Sequence, residues 1–189
     1  MIRKNLHALI FSTLSFIFII SPIAAQADTQ IYFIRHAEVD LDDRDKPLLP
    51  EGKERANTLA AYMEGKKLTH IFATHFDRNW DTVAPLSKAQ GVSITQVPKR
   101  DGDEVTNRSK GKIATRPMIE ALNELPDGSF ALVTANSGNM FKIMAGVGVE
   151  SGSDDMPCES KSCFPREEFN NVWQVTKTAD GVLLKKSQF

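Results

Sequence analysis

The chain has 189 residues, a formal net charge of −1 and two cysteines, which suits one domain with its own core. Lys and Arg are scattered among Asp and Glu rather than gathered on one stretch. That argues against a surface for nucleic acid backbones or anionic lipid and favours a small-molecule or protein ligand.

The N-terminus reads as a secretory signal. Arg3 and Lys4 form a positive head, an apolar run extends from Leu9 to Ile20, and Ala25-Gln26-Ala27 offers the small residues of a cleavage site. Cleavage before Asp28 leaves a working domain of residues 28–189. It shifts the formal charge from −1 to −3, because Arg3 and Lys4 leave and no acid does. The alternative is an uncleaved anchor, but the apolar run is shorter than the roughly 20 residues a bilayer span needs. The expected location is the periplasm or the exterior, with no stable membrane insertion after cleavage.

In the mature chain, Asp28 to Ile34 reads as a strand, since Ile31-Tyr32-Phe33-Ile34 is a continuous apolar run. A charged loop, Asp40 to Pro50, precedes a helix whose Ala56, Leu59, Ala60 and Met63 follow the spacing of one buried stripe, with Gly65 as its stop. Leu68 to Ala73 is a second strand. Asp77 caps a helix running towards Gln90, which Pro85 is expected to bend or shorten. A third strand spans Val92 to Val97. The polar stretch from Lys99 to Lys112 lacks apolar periodicity and reads as an active-site or surface loop.

Pro117 stands near the start of a helix carrying Met118, Leu122 and Leu125. The turn Pro126-Asp127-Gly128 then leads into a strand, Phe130 to Ala135, and a further helix aligns Met140, Ile143, Met144 and Val147. Cys158 and Cys163 sit in a polar segment, where a local disulfide suits an oxidising compartment and two free thiols are the alternative. No histidine follows His75 to complete a metal shell with them. Finally, Val172 to Thr176 and Val182 to Lys186 flank Ala179-Asp180-Gly181, a hairpin turn. Strands alternating with helices predict an α/β three-layer sandwich, its mainly parallel central sheet flanked by helices on both faces.

Open parallel sheets bind ligands beyond the carboxyl ends of their strands. Three ends carry candidate chemistry: Arg35-His36 after the first strand, Thr74 to Arg78 after the second, and Asn136-Ser137 after the fourth. Two guanidinium forks suit the oxygens of a phosphoryl group, and a neutral imidazole is a competent nucleophile.

Arg35-His36-Ala37-Glu38, Pro47-Leu48 with Glu51-Gly52, and Ile71-Phe72-Ala73-Thr74 with Arg78, Thr82, Pro85 and Leu86 together resemble the histidine phosphatase (phosphoglycerate mutase-like) superfamily, and in particular its small exported bacterial branch. Phe169 to Thr176 is similar to the family's closing strand. The resemblance implies a phosphohistidine formed on His36, with phosphate held by Arg35 and Arg78 and with neither metal nor cofactor. The implied substrate is a phosphomonoester, either a small phosphorylated molecule or a phosphoprotein. Asp101, Asp103 and Glu104 are the candidates for the acid that protonates the leaving oxygen, and solvated loop charges are their other reading. Glu38 reads as a loop group and His70 as structural.

One position departs from the pattern. The family's fourth strand ends in Gly-His-Ser, whereas Leu132-Val133-Thr134-Ala135-Asn136-Ser137 puts Asn136 where the second histidine belongs. A shifted alignment would put Ala135 there and restores no histidine. Asn136 can donate a hydrogen bond to phosphate but cannot carry positive charge. Two outcomes are therefore expected: a phosphatase weakened at this position, or an inactive pseudophosphatase that binds a phosphorylated ligand. His75, at the same sheet edge, is the nearby histidine that could compensate.

Overall fold

The computed structural model describes residues 27–99, 115–152, 156 and 167–189. In chain order they form β1 (Thr29–Arg35), α1 (Pro50–Tyr62), β2 (His70–Ala73), α2 (Asp77–Gln90), β3 (Ile94–Gln96), α3 (Thr115–Asn123), β4 (Phe130–Ala135), α4 (Ser137–Gly146), β5 (Asn171–Thr178) and β6 (Gly181–Gln188). The strands make one sheet in the order β3-β2-β4-β1-β5-β6. The first four run parallel, and β5 and β6 are antiparallel to their neighbours.

Burial on both faces explains the continuous apolar runs. In β1, Ile31 and Phe33 face a core shared with Met118 and Leu122 of α3 and Met140, Phe141 and Met144 of α4. Tyr32 and Ile34 face the opposite core with Leu59 of α1 and Val83 and Leu86 of α2. β4 divides in the same way, with Ala131, Val133 and Ala135 on one side and Leu132 on the other. The chain walks outward from β1 to β3 with α1 and α2 on one face, then returns to β4 with α3 on the other. This is what right-handed crossovers require when the direction of travel reverses. The expected three-layer α/β sandwich is thus the observed one.

Several element boundaries differ from the sequence-based expectation, each for a local reason. Asp77 does not cap α2. Phe76 occupies the cap position without a side-chain cap bond, and Asp77 is the first helical residue, where its carboxylate meets the positive end of the helix. Pro85 does not shorten the helix, which continues to Gln90. Thr82, Val83 and Leu86 around it are buried, so packing offsets the bond lost at proline. β2 starts at His70 rather than Leu68, whose N–H is taken by Lys66 O and Gln90 Oε1. β3 starts at Ile94 because Val92 is tied to the end of α2 through Ser87. β4 spans the expected residues, and the hairpin turns at Ala179-Asp180, with Thr178 paired to Gly181. Among the described residues, no helix is long and apolar enough to cross a membrane.

Candidate active site

Because β2, β4 and β1 are adjacent and parallel, their carboxyl ends form one edge. Ala73 pairs with Thr134 and Arg35 with Ala135, so the chain leaves the sheet side by side at His36, Thr74 and Asn136. The three strand ends singled out in the sequence therefore converge.

His36 is 7% exposed. Its Nδ1 lies 2.7 Å from the carbonyl oxygen of Ala37. A carbonyl only accepts, so Nδ1 carries the proton and Nε2 holds the lone pair. Burial lowers the imidazole pKa to about 3; the Ala37 carbonyl pulls it up, while Arg78 and Arg35 push it down. The ring is neutral throughout the physiological range.

Each arginine near His36 lies on an aromatic ring. The Arg35 guanidinium carbon is 4.1 Å from the Phe169 ring centroid, and that of Arg78 is 4.0 Å from Phe76. Burial lowers the Arg35 pKa below its ordinary value, with Glu38 and Glu167 opposing the shift, and the group stays cationic.

Arg78 Nε also donates to Asn136 Oδ1 at 3.3 Å. Asn79, fully buried at the next position, donates through Nδ2 to Thr74 Oγ1 and reaches Asn136 Oδ1 at 3.5 Å. Thr82 fastens α2 to the loop after His36: its hydroxyl donates to Arg78 O at 2.6 Å and accepts the Ala37 N–H at 2.9 Å. That link explains the spacing of Arg78 and Thr82, which puts them one helical turn apart.

Glu38 is a structural loop group. Arg55 Nε donates to both its carboxylate oxygens at 2.8 and 2.9 Å, and Nη2 adds a bond of 2.5 Å. Burial works against the Glu38 anion, but Arg55 outweighs it and the pKa falls below the ordinary value. The Glu38 carbonyl accepts Leu49 N–H at 3.0 Å and abuts Gly52 so closely that no side chain fits there.

His75 is not a surface residue. It is fully buried, its ring centroid 4.0 Å from that of Phe76, on whose ring Arg78 also lies. His70 stacks on Phe72 at 5.9 Å within β2. Asp101, Asp103, Glu104, Cys158 and Cys163 lie outside the described residues. Sequence reading missed Phe76, Asn79 and Phe169 as parts of the site. Asn79 left a signal, since 79, 82, 83 and 86 form the buried stripe of α2. A polar residue on such a stripe needs a partner. The two phenylalanines left none, because their contacts to arginine arise only in the folded chain.

A neutral imidazole beside two cations at a sheet's carboxyl edge is an arrangement chemically suited to an anion. The chain belongs to the histidine phosphatase superfamily (branch 1), whose family model matches residues 31–127. The matched stretch contains Arg35, His36, Thr74, Arg78 and Thr82 and stops before Asn136. Among curated proteins, none matches the chain in sequence. Solved structures are similar in fold. The protein histidine phosphatase SixA complexed with tungstate has 16% identity and a TM-score of 0.58, over 84% of this chain and 96% of that one. The alpha-ribazole phosphatase from Shigella flexneri has 12% identity and a TM-score of 0.60, over 85% and 96%. A mycobacterial glucosyl-3-phosphoglycerate phosphatase has 13% identity and a TM-score of 0.57, over 86% and 98%.

Proposed function

We propose that this protein is an exported phosphomonoesterase of the small bacterial branch of the family, acting through a phosphohistidine on His36. The observation that carries the reading is the state of that side chain: neutral, with Nδ1 committed to Ala37 O, so that Nε2 is the nucleophilic atom, flanked by the charges of Arg35 and Arg78.

In the first step Nε2 forms a bond to phosphorus while the bond to the ester oxygen breaks. The leaving oxygen takes a proton from an acid, for which Asp101, Asp103 and Glu104 are the candidates. In the second step water attacks phosphorus and gives a proton back to the carboxylate left by that acid, the P–N bond breaks with its electron pair returning to Nε2, and inorganic phosphate is released. Arg35 and Arg78 neutralise the equatorial oxygens, and Asn136 supplies a neutral hydrogen bond through Nδ2 where its relatives place an imidazole. Exchanging a charged donor for a neutral one slows the chemical step, since losing one such donor altogether costs about 2.7–4 kcal/mol. The substrate class is a small phosphorylated metabolite or a phosphoprotein outside the cytoplasm.

Asn136 also favours a second reading, a pseudophosphatase that binds a phosphorylated ligand through the same arginines without turnover. The two separate in one labelling experiment. An aryl phosphate labelled at phosphorus leaves an alkali-stable, acid-labile adduct on the wild type and none on His36→Ala. Binding of inorganic phosphate with neither adduct nor turnover supports the pseudophosphatase instead.

A further inference from the structure

Asn136 stands at the N-cap position of α4 with an extended backbone, where an asparagine side chain ordinarily turns back to accept an N–H of the first helical turn. It makes no such cap bond. Its Oδ1 instead faces Arg78 Nε at 3.3 Å and Asn79 Nδ2 at 3.5 Å. Donors on α2 thus draw this side chain off its own helix.

Of the two donors, Asn79 is the one anchored in the core. It lies on the buried stripe of α2, and its Nδ2 also donates to the hydroxyl of Thr74, which is fully buried as well. Thr74 follows β2 and Asn136 follows β4, strands paired as far as Ala73 and Thr134, so one amide nitrogen ties two neighbouring strand ends together. The direction of that amide is determined too. A guanidinium only donates, so Asn136 presents oxygen to Arg78, and Asn79 has to meet the same oxygen with nitrogen.

Asn79 Oδ1 is then left buried with no hydrogen-bond partner among the described residues. A buried acceptor without a partner lowers stability, and an apolar side chain at this point of the stripe would avoid that loss. Packing alone does not account for an amide here. The two bonds of Nδ2 do.

We propose that Asn79 is a positioning residue of the site: anchored by Thr74, it keeps the Asn136 amide turned away from the N-terminus of α4 and towards the sheet edge beside His36. That Asn136 Nδ2 then serves a phosphoryl group rests on the proposed function, whereas the placing of the amide does not.

The test uses Asn79→Ala, which removes both bonds, and Thr74→Val, which keeps the buried shape and removes the anchor. In the ligand-free wild type, three-bond couplings about χ1 of Asn136 should report one rotamer. In Asn79→Ala they should report a mixture dominated by the capping rotamer, which a cap of ordinary strength favours about fivefold. Hydrogen exchange at the amides of the first turn of α4 should slow at the same time. Thr74→Val should give the same mixture to a smaller extent. In calorimetry, inorganic phosphate should bind Asn79→Ala about fourfold more weakly, because Asn136 is then in the site for only a fraction of the time. In an Asn136→Ala background Asn79→Ala should cost nothing further.

The proposal is overturned if Asn136 keeps its single rotamer in Asn79→Ala or, should that variant not fold, in Thr74→Val, which would mean that Arg78 alone holds the amide. It is equally overturned if the fourfold loss persists without Asn136, which would mean that Asn79 serves packing alone. A wild type that binds no phosphate counts against the proposed function. The ligand-free couplings still decide the positioning.

Discussion

Arg78 donates its Nε–H to Oδ1 of Asn136 at 3.3 Å. Since a guanidinium cannot accept, this bond orients the amide: its oxygen faces Arg78 and Asn79, and Nδ2 remains as the donor for a ligand. Asn136 is therefore built into the site rather than merely tolerated in it.

Replacing it tests the cost of a neutral donor. Asn136→His should raise kcat for an aryl phosphate about a hundredfold, because an imidazolium can neutralise developing charge that an amide cannot. Asn136→Leu should weaken inorganic phosphate binding about tenfold, the size expected for one lost hydrogen bond to a charged group. Equal turnover in wild type and Asn136→His would show that this position does not limit the chemistry.

Stability should depend on pH through His36. Its folded pKa, near 3, lies below the ordinary 6.5 because of burial first and the two arginines second. Between these values the unfolded chain binds a proton that the folded protein does not, so folding stability falls as pH drops from about 6.5 towards 3. The slope for this one group approaches about 1.4 kcal/mol per pH unit. Urea unfolding at stepped pH should show that slope in the wild type and lose it in His36→Phe.

Gly52 sits inside α1 where a helix would ordinarily gain up to about 1 kcal/mol from alanine. Here the added Cβ would run into the backbone carbonyl of Glu38. Gly52→Ala should destabilise by about 2 kcal/mol, as overpacking against immovable backbone does, and lower kcat/KM because the loop shifted is the one that leaves His36. Denaturant unfolding and steady-state kinetics on the same preparation check both effects.

Thr82 accepts the buried Ala37 N–H and donates to Arg78 O. Thr82→Val keeps the shape and strands that N–H, a loss of about 1–3 kcal/mol, whereas Thr82→Ser keeps both bonds. Thermal unfolding should place serine close to wild type and valine well below it.

The sheet and the convergence of its strand ends were legible because apolar runs mark strands buried on two faces and because ligands gather where such strands end. β4 is the clearest case. Arg78 and Thr82 were legible through the resemblance to the family. The C-terminal side of the site was not, since Phe169 reaches Arg35 only after β5 has paired with β1, a relation no local pattern encodes. The misplaced cap at Asp77 and the uninterrupted helix at Pro85 have the same origin: packing of the α2 stripe decides what local propensity leaves open.

The central claim, that His36 is a phosphoryl-accepting nucleophile, is tested most directly by steady-state hydrolysis of an aryl phosphate by residues 28–189 beside the His36→Ala variant. The account predicts slow turnover by the wild type and its complete loss in His36→Ala, with the variant still folded. Turnover that survives the removal of His36 would contradict it.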